Sequence, residues 1–298
     1  MTTDQPIKST ECLICGVPAS LEAKAVLSPW IRQLGVKRTR TSNYLHCEIC
    51  DFGFFDFRYT SLEMGFIYSN YRESTYAKIR NHWEPWYSND FNNAHDSVSW
   101  SEMRKKSLKT FLEKYLTTNP HSIVDVGGDK GQYIPDIGSE NLYVLEASNK
   151  PLLPGIQRID NLNELHEIGL IIYSHVLEHV SDPLNELEEL LSQSNCVYVE
   201  VPFGIPAINN ARRSRILFVI KFISSFYPRA WRMLTHPSTG RNSVKGILTQ
   251  SEHLNFFSTK SLAAMSEILG SSVQIEVNEI QTPDNATAKV IQCLFVSS

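Results

Sequence analysis

The sequence of 298 residues lacks the long apolar runs that mark membrane and secreted proteins. No apolar run approaches the roughly 18 residues of a membrane span. The polar start, MTTDQPIKST, has no apolar core of a secretory signal. Internal repeats and low-complexity tracts are also missing, so the chain does not read as a repeat protein. We therefore expect a cytoplasmic protein with one large domain and a small appendage.

Carboxylates are missing from one long stretch, between Glu200 and Glu252, although the formal net charge of the chain is only -4. The same stretch carries Arg212, Arg213, Arg215, Lys221, Arg229, Arg232, Arg241 and Lys245. The rest of the chain is acidic, so the sequence does not resemble a wholesale nucleic-acid binder. It predicts instead one basic insert, at residues 203–250.

Cysteines are few, and four of the six form two CxxC pairs, Cys12 with Cys15 and Cys47 with Cys50. Two such pairs supply four thiolates around a tetrahedral ion, which is typical of structural zinc. Disulfides are disfavoured in a reducing cytosol. We expect residues 1–60 to form a zinc-binding module whose closed site stabilises the fold and leaves no position for a substrate.

Residues 61–118 are rich in aromatic side chains and are predicted to form a helical lid and linker. Apolar residues near helical spacing predict a helix over 97–116. The tryptophans are expected to pack against the main domain. Tyr71 and Tyr76 are candidate substrate contacts.

Strands alternate with helices over residues 119–298, which predicts a parallel, doubly wound α/β sheet. Strands are expected at 123–126, 142–145, 156–159, 170–173, 196–201, 273–277 and 289–296, and helices in a short segment after the first strand, at 183–192 and at 259–269. Ligands of such folds bind at the carboxyl ends of the strands.

The first of these strands ends in a glycine turn, IVDVGGDKG, at 123–131. Glycines at this place let the backbone turn tightly and approach a ligand closely. Glu146 follows Gly127 by about twenty residues, at the end of the next strand, where a carboxylate can accept both hydroxyls of a ribose. This pattern alone equally fits a nicotinamide-binding domain. The segment SHVLEHVSDP after the fourth strand separates the two readings.

Together with VLEAS, these segments resemble the class I methyltransferases that use S-adenosylmethionine, over roughly the last 180 residues. A subgroup of sugar methyltransferases also carries an N-terminal CxxC...CxxC zinc module. The resemblance implies a Rossmann-like sheet of seven strands with the last strand antiparallel, and an insert after the fifth strand. It implies these cofactor-binding residues: Asp125, Gly127, Gly128, Asp129, Gly131, Glu146, Asp160, Asn161, Ser174 and His175. The usual pattern has a glycine at position 129.

By the same resemblance, the chain would transfer a methyl group from S-adenosylmethionine to an oxygen of a sugar or nucleotide-sugar. His175, His179 and His253 are the candidates for a catalytic base that removes the hydroxyl proton. Two alternatives stay open. The chain could methylate RNA or protein, with the zinc module as the recognition arm, or it could be a zinc-stabilised binding protein without turnover.

The basic insert has three possible roles in this scheme. It could cap the active site and bind substrate phosphates through arginines such as Arg212 and Arg241. It could contact an anionic membrane surface through residues 212–234. It could also pack on a neighbouring subunit. We do not expect the insert to bind nucleic acid, because it is richer in aliphatic residues than such a surface needs.

Overall fold

The computed structural model describes residues 10–68, 71, 73–85, 87, 97–148, 150–206, 214–235, 248–281 and 287–297. Its strands are β1 (Ser20–Leu27), β2 (Thr41–Cys47), β3 (Phe52–Phe55), β4 (Ser122–Val126), β5 (Asn141–Leu145), β6 (Ile156–Ile159), β7 (Leu170–Ser174), β8 (Cys196–Pro202), β9 (Leu248–Gln250), β10 (Asn255–Phe256), β11 (Ser272–Gln281) and β12 (Thr287–Val296). The helices within these ranges are α1 (Pro29–Leu34), α2 (Ser61–Tyr68), α3 (Ser74–Trp83), α4 (Val98–Tyr115), α5 (Pro183–Gln193), α6 (Arg215–Ser224), α7 (Pro228–Thr235) and α8 (Thr259–Ile268).

The larger sheet has seven strands in the order β11-β12-β8-β7-β4-β5-β6. Strands β4 to β8 run parallel, whereas β12 is antiparallel to both of its neighbours, β8 and β11. The predicted fold class is thereby confirmed, including the antiparallel last strand. The central strands read as continuous apolar runs because both faces of the sheet are covered, and residues 170–173 are all buried.

Two helices of this domain begin at hydrogen-bonded N-terminal caps. Asp182 caps α5 by accepting a hydrogen bond from the backbone N–H of Asn185 at 3.2 Å, and Pro183 occupies the first turn. Ser258 and Ser261 form a reciprocal cap at the start of α8. These caps set the residue at which each helix begins.

The short helix predicted after the glycine turn is wrong, because residues 127–140 form turns. Gly131 and Gly138 adopt φ values of 78° and 83°, which interrupt a right-handed helix. Pro135 between them lacks the N–H that a continuing helix needs. The backbone beside the first strand is therefore an irregular loop.

The smaller sheet has five strands in the order β10-β3-β2-β1-β9. Its centre comes from the cysteine-bearing N-terminal segment, but both edge strands come from residues 248–256. Strand β9 pairs parallel with β1, and β10 pairs antiparallel with β3. The module thus shares its sheet with a segment near the other end of the chain. The division into residues 1–60, 61–118 and 119–298 stays a prediction.

Of the insert, the structure describes residues 203–206, 214–235 and 248–250; α6 and α7 lie in the middle range, and the last range is β9. Helix α6 buries Lys221, whose ammonium donates a hydrogen bond to Thr249 at the edge of the smaller sheet. Its opposite face exposes Ile216, Val219 and Ile223. Within the described residues, no helix is long and apolar enough to cross a membrane. The role of the insert stays a prediction.

A single arginine, Arg58, ties the two sheets together. Its side chain is 1% exposed, and its five N–H groups donate to the carbonyl oxygens of Phe55, Val180, Ser181 and Leu254 and to Oδ1 of Asn255, at 2.6 to 3.2 Å. Every donor of the guanidinium is thus satisfied. Burial lowers the pKa of Arg58 to about 9, a shift that the more distant Asp182 carboxylate opposes.

Replacing Arg58 by methionine should lower the free energy of unfolding by about 3 kcal/mol or more, because four carbonyl oxygens and one amide oxygen lose a charged donor. Urea unfolding of the zinc-loaded protein measures the change. Arg229→Met is the matched control, since Arg229 is exposed. Equal destabilisation by the two variants would contradict the role assigned to Arg58.

Candidate functional site

The four paired cysteines converge at the tip of the smaller sheet. The Sγ atoms of Cys12 and Cys50 lie 3.5 Å apart, those of Cys15 and Cys47 lie 3.5 Å apart, and those of Cys15 and Cys50 lie 3.8 Å apart. Sulfur ligands at 2.3 Å from a tetrahedral zinc ion would be spaced by about 3.8 Å. The thiols are not bonded to one another. The arrangement fits zinc and does not fit disulfides.

The thiols have different environments. The Cys50 thiol and the backbone amides of Cys15 and Ile14 donate towards Cys12 and lower its pKa to about 5, against the opposing effect of burial. The contact with Cys12 and burial raise the pKa of Cys50, and burial raises the pKa of Cys15. The backbone N–H of Ile14 lies 3.4 Å from the Cys12 sulfur. These residues could hold a structural zinc ion, with all four positions taken by protein.

The glycine turn lies at the carboxyl end of β4, packed too tightly for side chains. A Cβ at Gly131 would lie 2.4 Å from Ile156, and one at Gly127 would lie 2.9 Å from Val176. Both glycines have positive φ values, 78° and 74°. A Cβ at Gly128 would lie 2.4 Å from the Asp125 carboxylate. All three positions therefore require glycine.

Asp129 occupies the position where the family pattern has glycine, with a left-handed φ of 54°. Its backbone N–H donates to Oε2 of Glu146 at 3.2 Å, and its carboxylate pairs with Lys150 at 3.0 Å. Glu146 also accepts from the backbone N–H of Ser148 through Oε1, at 2.9 Å. The ion pair with Lys150 neutralises the extra negative charge beside the turn. Two backbone amides fix the orientation of the Glu146 carboxylate.

Two buried polar atoms beside this turn have no hydrogen-bond partner, Oδ2 of Asp125 and Oγ of Ser148. Burial raises the pKa of Asp125 to about 7; Arg104 opposes the shift, and Glu146 and Asp129 add to it. Unsatisfied buried polar atoms are costly, so their presence around a glycine turn suits a bound polar ligand. A cationic amino group would match Asp125. The residues present therefore fit S-adenosylmethionine, which is both cationic and polar at this end.

The loop after β5 is held in place by Arg158. Arg158 on β6 donates to the carbonyl oxygens of Glu146, Ser148 and Lys150 at 2.7 to 3.0 Å, which fixes the loop after β5. Asp160 and Asn161 follow β6 in an exposed loop. Asn161 caps a short turn of helix at residues 162–164. The predicted adenine-side residues thus lie at the same sheet edge as Glu146.

Ser174 and His175 follow β7 and meet a buried charge network. Arg104 on α4 donates to Ser174 Oγ at 2.7 Å and forms an ion pair with Glu200 at the end of β8. Its guanidinium also lies 4.5 Å from the centre of the Tyr133 ring. Burial acts to raise the pKa of Glu200, but Arg104 and His175 outweigh it and hold that pKa well below its usual range. Glu200 is therefore a fixed negative charge.

His175 bridges two buried carboxylates. Its Nδ1 lies 3.2 Å from Glu178 and its Nε2 lies 3.1 Å from Glu200. Burial and Arg104 act to lower the pKa of His175, but the hydrogen bonds to both carboxylates outweigh them and raise it to about 9. The imidazole therefore carries both protons at neutral pH and donates both of them to the two carboxylates, so it has no lone pair with which to accept a proton.

Glu178, His179 and His253 form a second cluster beside this network, with one ligand-type atom of each within 4.8 Å of the others. Burial acts to raise the pKa of Glu178, but the His175 hydrogen bond and the nearby histidines lower it to about 2. Burial and His179 lower the pKa of His253 to about 4. His253 is therefore neutral at pH 7 and has a nitrogen lone pair to offer.

The predicted substrate contacts have different environments. Tyr76 is 1% exposed, and its hydroxyl donates to Glu252 at 3.3 Å and accepts from Arg80 at 2.7 Å. Tyr71 is partly buried and packs on Tyr76 at 5.3 Å between ring centres. These aromatics pack with Trp30 and Leu254. Arg212 and Arg241 lie outside the described residues.

Sequence reasoning missed three charged residues at this edge, Arg104, Lys150 and Glu200. Glu200 had a readable signal, because it ends an apolar strand in the same way as Asp125 and Glu146. Arg104 lies on a helix with no motif, and Lys150 gains its role only through Asp129. Their contributions depend on tertiary contacts that spacing does not reveal.

No protein-family model and no curated protein matches this chain. Among solved structures, the N-terminal domain of EvdMO1 with S-adenosylhomocysteine and D-fucose is 11% identical, with 65% of this chain and 83% of that chain covered and a TM-score of 0.36. Magnesium protoporphyrin IX methyltransferase (ChlM) from Synechocystis PCC 6803 is 12% identical, with coverages of 74% and 99% and a TM-score of 0.40. The 1,6-didemethyltoxoflavin-N1-methyltransferase of Burkholderia thailandensis is 10% identical, with coverages of 74% and 90% and a TM-score of 0.42. At these scores, the strand order of this chain itself is the basis of its fold assignment.

Cys50→Ser should remove one equivalent of zinc per chain and lower the melting temperature by more than 10 °C, because the module loses its metal crosslink. Metal analysis and thermal unfolding measure both effects. Cys196→Ser is the matched control, since that thiol lies outside the cluster. Full zinc content in the Cys50 variant would contradict the assignment.

His175 should make stability pH-dependent on the alkaline side. Its folded-state pKa is raised from 6.5 to about 9, so its contribution is complete below pH 6.5 and is lost as the pH rises through 9. Urea unfolding of the zinc-loaded wild type between pH 7 and 9.5 should show this loss, and His175→Gln should remove most of the slope. If the free energy of unfolding of the wild type and of the His175→Gln variant changed equally with pH, the raised pKa of His175 would be refuted.

Proposed function

We propose that this protein transfers a methyl group from S-adenosylmethionine to an oxygen of a carbohydrate-type small molecule, with a nucleotide-activated or surface-glycan sugar as the substrate class. The observation that carries the cofactor assignment is the glycine turn with the unpartnered Asp125 oxygen on one side and the oriented Glu146 carboxylate on the other. Asp125 binds the cationic amino-acid end of the cofactor. Glu146 accepts the ribose hydroxyls, while Asp160 and Asn161 contact the adenine.

The acceptor side is formed by the loop after β7. Val176 lies against Gly127, so this loop borders the glycine turn directly. It carries Glu178 and His179, and His253 comes next to them from the segment after the insert. With S-adenosylmethionine bound, an acceptor hydroxyl oxygen would form the bond to the methyl carbon as the C–S bond breaks, and the hydroxyl proton would pass to a base or to solvent. The cofactor supplies the activated methyl group, and the protein aligns the two reactants.

Among the three candidate histidines, His179 and His253 are the ones on the acceptor side, and their rings pack together with 4.7 Å between the ring centres. His175 instead fixes the positions of Glu178 and Glu200 through its two donated hydrogen bonds. Polar histidine and carboxylate groups, flanked by Tyr68 and Tyr71, match the hydroxyls and the apolar faces of a sugar ring. This polarity supports a carbohydrate acceptor over an apolar one.

RNA or protein methylation through the zinc module is the alternative substrate class. In this alternative, the basic tract at 37–40 would contact the substrate. However, Arg38 forms an ion pair with Glu63, and the guanidinium of Arg40 lies 4.0 Å from the centre of the Phe226 ring. Two of the basic side chains are therefore used within the fold. RNA affinity that falls steeply as salt is raised would favour this alternative. Turnover of labelled methyl groups separates either enzyme from a binding protein without catalysis.

Calorimetry with S-adenosylhomocysteine tests the cofactor assignment. Glu146→Ala should weaken binding by about 1 to 3 kcal/mol, because the ribose loses its acceptor and two backbone amides lose theirs. Glu167→Ala, at an exposed position outside the edge, should bind as the wild type does. No heat and no thermal shift at saturating ligand would overturn the proposal.

A further inference from the structure

We propose that Glu178, His179 and His253 bind a divalent transition-metal ion, separate from the four-cysteine site. The three side chains come from two segments, the loop after β7 and the segment between β9 and β10. Two imidazoles and one carboxylate form a ligand set that such ions prefer, and three protein ligands leave coordination positions open.

The orientation of His179 is the first observation. Its Nδ1 lies 3.1 Å from the carbonyl oxygen of Glu252, and a carbonyl only accepts, so Nδ1 carries the proton. In the neutral ring, Nε2 therefore presents a lone pair. A hydrogen bond from the second ring nitrogen to a carbonyl is the usual way in which proteins orient a metal-binding histidine.

The partner of that lone pair is the second observation. Nε2 of His179 faces Oε1 of Glu178 at 3.9 Å, which is too long for a hydrogen bond and places two electron-rich atoms opposite each other. The second carboxylate oxygen of Glu178, on a residue that is 1% exposed, has no hydrogen-bond partner. A cation in front of Nε2 would remove this repulsion, and Oε2 is the carboxylate oxygen that would bind it, since Oε1 already accepts from His175.

His253 completes the set. Its ring packs edge-on against His179, with 4.7 Å between the ring centres. The three ligand atoms lie within 4.8 Å of one another, and ligands at about 2.1 Å from an ion would be about 3.4 Å apart. Small side-chain rotations close this difference. Tyr68, whose buried hydroxyl has no partner, packs on His179 at 5.7 Å and could donate to an oxygen bound to the ion.

The open positions give the ion a function that rests on the proposed methyl transfer. Two neighbouring hydroxyls of a sugar would chelate the ion, and the bound hydroxyl would lose its proton to solvent water more readily. Its oxygen then forms the bond to the methyl carbon while the C–S electrons return to sulfur. A vicinal diol is therefore the acceptor group that this site would select.

The binding test uses zinc-loaded, full-length protein, so that the cysteines are already occupied. Titration with MnCl₂, followed by electron paramagnetic resonance of the free ion, should give one bound Mn²⁺ per chain. His253→Ala and His179→Ala should each weaken binding at least tenfold. His166→Ala, which removes an exposed histidine elsewhere, should leave it unchanged. Thermal unfolding checks that each variant is folded.

Cobalt keeps the proposal testable if a variant fails to fold. A second equivalent of Co²⁺ on the wild type should give weak visible bands without the intense thiolate charge-transfer bands of a cysteine site. Absence of any Mn²⁺, Co²⁺ or Zn²⁺ beyond the cysteine-bound equivalent would overturn the proposal, as would equal affinities of the His253 and His166 variants. Binding of S-adenosylhomocysteine is measured separately, so failure of the metal site and failure of the cofactor assignment are distinguishable.

Discussion

The fold depends on one buried cation, Arg58, which has no carboxylate in hydrogen-bond contact among the residues that the structure describes. Its five donors are matched by four backbone carbonyls and one side-chain amide oxygen. Two of these carbonyls belong to Val180 and Ser181, directly after His179, and another belongs to Leu254, directly after His253. The same side chain that joins the sheets thus holds both halves of the histidine cluster in register. Stability and site geometry have a common origin here.

Fixed charges organise the rest of the sheet edge. Arg104, His175, Glu178 and Glu200 form a buried chain in which positive and negative groups alternate. Each charged group would be costly to bury alone, so removing one of them leaves its partners buried without a compensating charge. A second ion pair, between Lys150 and Asp129, is partly exposed and balances charge beside the glycine turn. The unusual aspartate is therefore tolerated because a cation accompanies it.

Much of this architecture could be predicted from the sequence. The short apolar runs at β4, β7 and β8 alternate with helical segments, which predicts a buried parallel sheet, and Glu146 follows the glycine turn at the expected interval. The cysteine pairs predicted their own convergence. The alternation of strands with helices predicts a helix after Gly131, but Pro135 and Gly138 in that segment interrupt it. The link between residues 20–55 and 248–256 leaves no periodic signal, since β9 and β10 have only three and two residues.

That link also constrains how the chain folds as it leaves the ribosome. The cysteines precede the seven-stranded domain along the chain and can capture an ion before that domain is complete. The sheet that they nucleate keeps both edges open until residue 256 has been made, after most of the seven-stranded domain. Unpaired edges of β1 and β3 are exposed to other chains during that interval. Because β9 and β10 close these edges, the cysteine-bearing sheet can be completed only after residues 248–256 have been made.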